Sequence, residues 1–585
     1  MSRTFSPKRL FAWHSWIGIH LGVLLLAICV SGTVAVFTPE IDEWLDPALT
    51  VEPPPAGAPK VGMGAVIRAV RQAHPLAEVT FGRREPGPHQ TDVVSISYGR
   101  ADSRTVHVDP YRATIVGERT GLTLKSFVRI FHKQLFLVSA TVGFHGTLLV
   151  GLFALALLVA GLSGLCAFPD RWRALYRLRL HHGRRTLYSD LHRLAGSWSL
   201  IVACLLALTG IWYLGEQVGM SLDLVEHEPI AELEAPDHAG LGDRLRLLPV
   251  DDLIERAEAL YPELEVRAVE LPSRPGQAIG FRGPAEAVLV RDAANEIALD
   301  PFTGSVVTLR KGSARSVLDR LNHTMDPLHF GTFGGLTTRL LFLVSGLAIC
   351  AGIVLGTVLY TRRMRSKARH QPFKRSLWSW SGALSSVALF VAALSGAGYL
   401  LIPTLRRPDG PQAVEAVGAT HLAGCPVQLF RSAGRPDRGT LHVRFETDAI
   451  PNCTALQLAT GDGEDAIALR LGLQGARGAA TPELLAAAPA SIRLVATTVG
   501  GHQLIAPFRP VAAEERVISA PPTIPTATRV GIALFSLLIL LSAGIWLWHV
   551  RVPRRGNKAP LALGDESRSV LPSWRGALPR ARASE

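Results

Sequence analysis

The sequence lacks the features that mark a soluble enzyme or a nucleic-acid binder. No strand is followed by Gly-x-Gly-x-x-Gly and a helix, so the chain brings no flavin or nicotinamide signature of its own. No stretch interleaves basic with aromatic side chains. The formal net charge of +13 is therefore not that of a protein that stacks on bases, and nucleic acid is excluded as a partner. Charged residues are only 19% of the chain, against 48% hydrophobic ones. That is too apolar for an ordinary soluble protein and too charged for one that lies wholly in lipid, so spans must alternate with water-exposed domains. Cysteine is scarce, six in 585 residues.

Long apolar runs are what the sequence has in excess. Six are long enough to cross a hydrocarbon core about 30 Å thick, which takes about 20 helical residues. They predict a polytopic α-helical membrane protein with six transmembrane helices: one within residues 1–41, then 141–168, 194–215, 336–360, 377–403 and 530–550. The first run, residues 17–37, is longer than a signal-peptide core and leads to no small-residue cleavage site, so it reads as an uncleaved span. Arg and Lys gather at Arg3, Lys8 and Arg9, in the connections 169–193 and 361–376, and in the tail 551–585. Threading six spans puts all of these on one side, the cytoplasm, with both termini inside. Lipid headgroups are then the partner of the positive charge. The connections 42–140, 216–335 and 404–529 face outward, which in a bacterial inner membrane is the periplasm.

An internal repeat is the strongest signal. His14 and Gly18 map onto His192 and Gly196 at an offset of 178, which also carries Ser31-Gly32 onto Thr209-Gly210. Val108-Asp109-Pro110-Tyr111 maps onto Leu299-Asp300-Pro301-Phe302 at an offset of 191, which carries His132 onto His323. A unit of span, outer domain and span thus occurs twice in parallel, implying a pseudo-twofold axis along the membrane normal. Each outer domain is predicted to open on an amphipathic helix, at 64–73 and 250–260. Strands follow at 92–98 and 105–108 in the first, and at 287–290 and 296–299 in the second, before an Asp-Pro turn. Asp109 and Asp300 are turn formers or, as the alternative, metal or substrate ligands. The third outer segment has no partner in the repeat and reads as β-rich. It holds Cys425 and Cys453, the cysteines outside the predicted spans, which outside the cytoplasm are expected to pair as a disulfide.

The candidate chemistry lies in the histidines. His14 and His192 sit at the cytoplasmic ends of two spans, with His20 six residues deeper. His132, His145, His323 and His329 lie at the outer ends of two others. Ionisable groups at such positions are functional candidates by default. Three readings remain open: interfacial histidines satisfied by backbone and headgroups, imidazole pairs that ligate haem b, and a bare metal such as zinc. Only Asp326 offers the last of these carboxylate company.

Trp13-His14-Ser15-Trp16-Ile17-Gly18-Ile19-His20, Phe131-His132-Lys133-Gln134-Leu135, Leu191-His192-Arg193-Leu194-Ala195-Gly196 and Leu328-His329-Phe330-Gly331-Thr332-Phe333-Gly334-Gly335 occur in this order. Over residues 8–365 the chain resembles the PepSY-associated transmembrane-helix family of iron-regulated membrane proteins, which includes periplasmic ferric-siderophore reductases. The resemblance implies two parallel TM–PepSY-like–TM units; the fifth span, the third, β-rich domain and the sixth span lie beyond that four-span core and depart from the family. It implies haem b, with two groups expected, and reduction of a ferric siderophore or other ferric chelate outside the membrane. His14, His132, His192 and His329 match family histidines; His20, His145 and His323 are added by position and repeat. The electron donor is expected to be a quinol or another reductase. The alternative reading is a non-enzymatic PepSY-type regulator or siderophore-uptake accessory; a permease is a third.

Overall fold

The structure, a computed structural model, describes residues 6–550 apart from short gaps and the longer stretches 167–175, 223–230, 234–243, 368–383 and 392–411. Its helices are α1 Pro7–His20, α2 Gly22–Ala35, α3 Thr38–Leu45, α4 Met63–Ala73, α5 Leu124–Gln134, α6 Val142–Cys166, α7 Arg184–Ser221, α8 Val250–Leu260, α9 Val317–Phe330, α10 Gly335–Lys367 and α11 Thr526–Val550. Segments of α6, α7, α10 and α11 are each long and apolar enough to cross a membrane, and α1 with α2 forms a fifth such element if taken as one span. The span expected at 377–403 lies largely outside the described residues. Trp198, Ile201 and Leu208 of α7 and Leu340, Val344 and Leu347 of α10 are exposed, as a lipid-facing surface requires.

The first span is not the straight helix expected from residues 17–37. It breaks at Leu21, and α1 and α2 meet at 71°. The break falls beside Gly22, where the missing side chain admits the indole of Trp546 from α11; an added Cβ would lie 3.4 Å from Trp546 Nε1.

The two outer domains read from the sequence as separate are halves of one sheet. Its strands are β1 Glu78–Arg83, β2 Asp92–Gly99, β3 Asp102–Val108 and β4 Ile115–Thr120 from the first half, and β6 Ala268–Glu270, β7 Ile279–Arg282, β8 Glu296–Leu299 and β9 Val306–Arg310 from the second. Their order is β4-β3-β2-β1-β6-β7-β8-β9, palindromic about the antiparallel β1–β6 pair that sets Gly82 opposite Val269. Pairing at the centre removes an exposed edge from each half. α4 and α8 lay Met63, Val66, Ile67, Val70, Leu253 and Ala257 on the sheet, against Val94, Val106, Phe281 and Ile297. The strand expected at 287–290 is instead a turn in which Leu289 takes φ 62°, and β7 takes its place in the sheet. Asp109 and Asp300 are turn formers. Asp109 Oδ1 accepts from Tyr111 N at 2.7 Å, and Asp300 Oδ1 from Phe302 N at 2.8 Å.

The C-terminal region is β-rich, as expected. β10 Gln412–Leu422, β11 Cys425–Ser432, β12 Thr440–Phe445, β14 Cys453–Thr460, β15 Ala466–Leu471, β16 Gly475–Ala479, β17 Ile492–Thr498, β18 Gln503–Pro507 and β19 Arg509–Ile518 form one sheet in the order β18-β17-β14-β15-β16-β12-β11-β10-β19. β13 Ala449–Pro451 pairs instead with β5 Arg244–Arg246 of the second repeat. The core of this region takes in Leu245 and Phe302, so it shares apolar packing with the second repeat. Cys425 and Cys453 are both buried in that core, yet no disulfide joins them here. Apolar burial favours the neutral thiol: with the neighbouring Cys425 adding to it, burial pushes Cys453 up to about 11.

One contact fixes the start of α5, the helix that carries His132. Asp42 of α3 is buried, and its two carboxylate oxygens accept from Leu124 N and Lys125 N, each at 3.0 Å. A carboxylate there satisfies orphan amides and complements the helix dipole.

The outer sheet also carries a titrating group with a clear consequence. Burial, with the Arg119 guanidinium adding and Asp46 opposing, lowers His107 from 6.5 to about 4. The folded chain keeps this ring neutral where the unfolded chain binds a proton. The stability it contributes is complete above pH 6.5 and is lost as pH falls towards about 4. A pH series of thermal unfolding is expected to show this loss, and His107→Gln to flatten it; an unchanged slope in the variant would assign the loss to other groups.

Candidate functional site

Four of the seven candidate histidines meet in two pairs inside the helical bundle. His14 of α1 faces His192 of α7, with ring centroids 5.9 Å apart and planes at 66°. His132 of α5 faces His329 of α9, with centroids 6.1 Å apart and planes at 48°. His192 and Thr209, which touches His329, stand 17 residues apart on α7; at about 1.5 Å per residue the two pairs are separated by roughly 25 Å along that helix.

Each ring is held through Nδ1. His14 Nδ1 lies 2.8 Å from Ala160 O of α6, and His192 Nδ1 lies 2.8 Å from Gly352 O of α10. A carbonyl only accepts, so Nδ1 carries the proton and donates, and Nε2 is left with its lone pair. His132 Nδ1 lies 3.0 Å from Ile28 O and 3.1 Å from Ser31 Oγ, both on α2. His329 Nδ1 lies 2.8 Å from Thr209 Oγ1. The Thr209 hydroxyl is within donating distance of Leu205 O at 2.9 Å and Leu206 O at 3.1 Å, which leaves its lone pairs to accept from His329. Among the described residues, none of the four Nε2 atoms takes a hydrogen bond.

Three of these contacts share one device. The accepting carbonyls belong to Ile28, Ala160 and Gly352, and the residue four places on is a glycine each time: Gly32, Gly164 and Gly356. A helical carbonyl is normally screened by the side chain one turn ahead. The missing Cβ opens a notch through which the imidazole reaches it. An added Cβ would lie 2.9 Å from His132 Cε1 at Gly32, 2.9 Å from His14 Cε1 at Gly164 and 3.0 Å from His192 Cε1 at Gly356. The fourth position departs from the pattern. Leu206 and Gly210 are the repeat equivalents of Ile28 and Gly32, but His329 takes the Thr209 hydroxyl, and a Cβ at Gly210 would meet Ala154 at 2.8 Å.

The remaining candidates stand elsewhere. His20 packs against Trp16, with centroids 5.0 Å apart. His323, expected opposite His132 from the repeat offset, is not there. It is buried on α9, where its Nδ1 accepts from Arg291 Nε at 2.9 Å and its Nε2 lies 3.4 Å from Asp319 Oδ1. The ring opposite His132 belongs to His329, six residues later and nearly two helical turns away. The side chain of His145 lies outside the described residues. Asp326 is no ligand to a histidine site either: it accepts from the Tyr213 hydroxyl at 2.6 Å and pairs with Arg291 at 3.2 Å. Tyr213 in turn packs edge-on against His329 at 5.3 Å.

Gly18, Gly22, Gly143, Gly146, Gly331, Gly334 and Gly335 lie near these histidines in sequence. None of those described meets an imidazole: Gly18 and Gly335 face open space, Gly22 faces Trp546, Gly146 the Gln134 carbonyl, Gly331 Phe342 and Gly334 Thr338. The glycines that matter are Gly32, Gly164 and Gly356. Gly164 and Gly356 recur at an offset of 192, and that recurrence was the available signal. Among the described residues no group of three or more His, Cys, Asp or Glu converges as a metal site.

A pair of neutral imidazoles, each keeping an Nε2 lone pair, is a two-ligand set for an ion whose other ligands come from elsewhere. Two metal–nitrogen bonds of about 2 Å, plus about 1.1 Å from each Nε2 to its ring centre, put coaxial imidazole centroids about 6 Å apart. Both pairs have that separation.

The profile of a family described as PepSY-associated TM region matches residues 11–363, more than half of the chain. The match takes in both histidine pairs and the whole eight-stranded sheet, but neither the nine-stranded sheet nor α11. An uncharacterised protein of Pseudomonas aeruginosa is 43% identical over 79 residues, which is 14% of this chain and 19% of that relative; the alignment thus spans about a fifth of the relative's length.

The notch makes a prediction about stability. Gly32→Ala, Gly164→Ala and Gly356→Ala each drive a methyl into an imidazole and are expected to lower stability in detergent by about 1–3 kcal/mol. Gly18→Ala and Gly196→Ala meet open space and are expected to be neutral or stabilising by up to about 1 kcal/mol. Thermal melts of the five variants check this; equal effects at all five would remove the notch as the reason for those glycines.

Proposed function

Because the chain belongs to the PepSY-associated TM region family, we propose that it is a membrane oxidoreductase that holds two haem b groups and passes single electrons across the bilayer. The acceptor is a ferric chelate, most simply a ferric siderophore, on the outer side. The single observation that carries this reading is the pair of imidazole gaps at 5.9 and 6.1 Å, each lined by rings held through Nδ1. The donor set fits the group: a macrocycle brings four nitrogens of its own and asks the protein for two axial ligands, which matches sites that contain two histidines and no carboxylate or thiolate.

His14 and His192 would hold the cytoplasmic-side haem, and His132 and His329 the outer one. Haem b bound there would supply reversible one-electron Fe(III)/Fe(II) chemistry. The protein's own part is positional. Ala160 O, Gly352 O, Ile28 O, Ser31 and Thr209 fix the tautomer and plane of each ligand. Ile17, on α1 with His14, clusters with Leu25 and Phe153, and Phe127 and Phe131, on α5 with His132, cluster with Phe535. The separation of about 25 Å along α7 is close to the hydrocarbon thickness of about 30 Å, so one site belongs near each face. Lys- and Arg-rich connections put the His14–His192 end in the cytoplasm of a bacterial inner membrane and the two sheets in the periplasm. With no nucleotide signature in the chain, the donor is a quinol or a separate reductase.

The test is a reduced-minus-oxidised visible spectrum of the detergent-purified chain, with haem quantified per protein. Two haems are expected. His14→Ala or His192→Ala should remove one, His132→Ala or His329→Ala the other, and His20→Ala neither. A chain expressed with ample haem that carries none would sink this reading in favour of a regulator or uptake accessory.

A further inference from the structure

The two pairs are built on one plan but do not have equal hydrogen-bond acceptors. Both rings of the His14–His192 pair donate to a backbone carbonyl at 2.8 Å. The Ala160 carbonyl also accepts from Ser163 Oγ at 3.2 Å. In the second pair only one ring reaches a carbonyl. His132 divides its proton between Ile28 O at 3.0 Å and Ser31 Oγ at 3.1 Å, and Ser31 Oγ itself donates to Ile28 O at 2.9 Å. The Ile28 carbonyl therefore serves the ring, the serine and its own helix. His329 has only the Thr209 hydroxyl, at 2.8 Å. An amide carbonyl is a stronger acceptor than a hydroxyl, and the acceptor on Nδ1–H governs how basic Nε2 becomes. A more basic axial ligand stabilises the ferric over the ferrous state and lowers the reduction potential.

We propose that this difference in acceptors poises the His132–His329 site at a higher potential than the His14–His192 site, with Thr209 and Ser31 as the positioning residues that set it. The proposal rests on the two-haem reading above. An electron entering at the cytoplasmic side then moves downhill to the outer side. Asp326, which reaches His329 through Tyr213, is paired with Arg291 at 3.2 Å, and the cation offsets its charge. Thr209 and Ser31 are repeat equivalents, yet their removal acts in opposite directions. Without the Thr209 hydroxyl, His329 loses its acceptor and becomes less basic. Without the Ser31 hydroxyl, His132 loses the weaker of its two acceptors, and Ile28 O, relieved of a competing donor, takes the whole of the ring N–H.

The experiment is a spectroelectrochemical titration of the full-length, haem-loaded chain. Two one-electron waves are expected, and His192→Ala should abolish the lower one. Thr209→Val should move the upper wave up and Ser31→Ala should move it down, with the lower wave unchanged in both; Thr209→Ser should restore the original position. A simple loss of packing would move both variants in the same direction, so the opposed signs separate positioning from damage, and Ser31→Ala alone still tests the idea if Thr209→Val sheds its haem. Coincident waves, loss of the upper wave in His192→Ala, or shifts of the same sign in the two variants would overturn the proposal and leave the two-haem reading standing. A chain without haem would remove that reading and the proposal with it.

Discussion

A ring N–H buried among helices whose backbone groups already bond one another has nowhere to donate, and the rest of this structure depends on how that need is met. Three histidines meet it through a carbonyl uncovered by a glycine one turn ahead, and the fourth through a threonine. Each contact joins two helices that the sequence holds far apart: α1 to α6, α7 to α10, α2 to α5 and α7 to α9. The hydrogen bonds that choose the tautomer are therefore also the ones that lock the bundle's register. A neutral imidazole bound this way keeps an unprotonated Nε2, which a protonated ring does not.

Outside the bundle the same doubling takes another form. Each repeat contributes a helix and four strands, and joining the halves at β1 and β6 gives both a central neighbour where each alone would expose an edge. The symmetry then breaks in a consistent direction. The second repeat gains β5, lends Leu245 and Phe302 to the core of the nine-stranded sheet, and surrounds its outer histidine with Tyr213, Asp326 and Arg291. In the first repeat, Phe127 and Phe131 of α5 pack instead on Phe535 of α11.

Several failures of sequence reasoning have one physical origin. Offset arithmetic assumes that both copies keep the same spacing. It placed His323 opposite His132, but α9 turns a different face to the bundle, and His323 became part of an ion-pair cluster with Arg291 and Asp319. Span hydropathy found residues 17–37 but not the 71° break, because a bend leaves the apolar character of the run unchanged. Glycines close to histidines in sequence turned out to face open space or other side chains, since proximity along a helix says nothing about which neighbour crosses it.

By itself, the sequence determined the membrane character, the duplication and the amphipathic helices α4 and α8, which follow from composition, period and offset, all local properties. The four histidines that pair stood among seven candidates and were set apart by their match to family motifs, not by offset. The tertiary structure alone decided which histidine faces which, which nitrogen carries the proton, that the outer domains merge into one sheet, and that Gly32, Gly164 and Gly356 rather than other glycines open the carbonyls. Those outcomes depend on contacts between segments more than a hundred residues apart, where a difference of a single methyl group decides whether a ring reaches its acceptor.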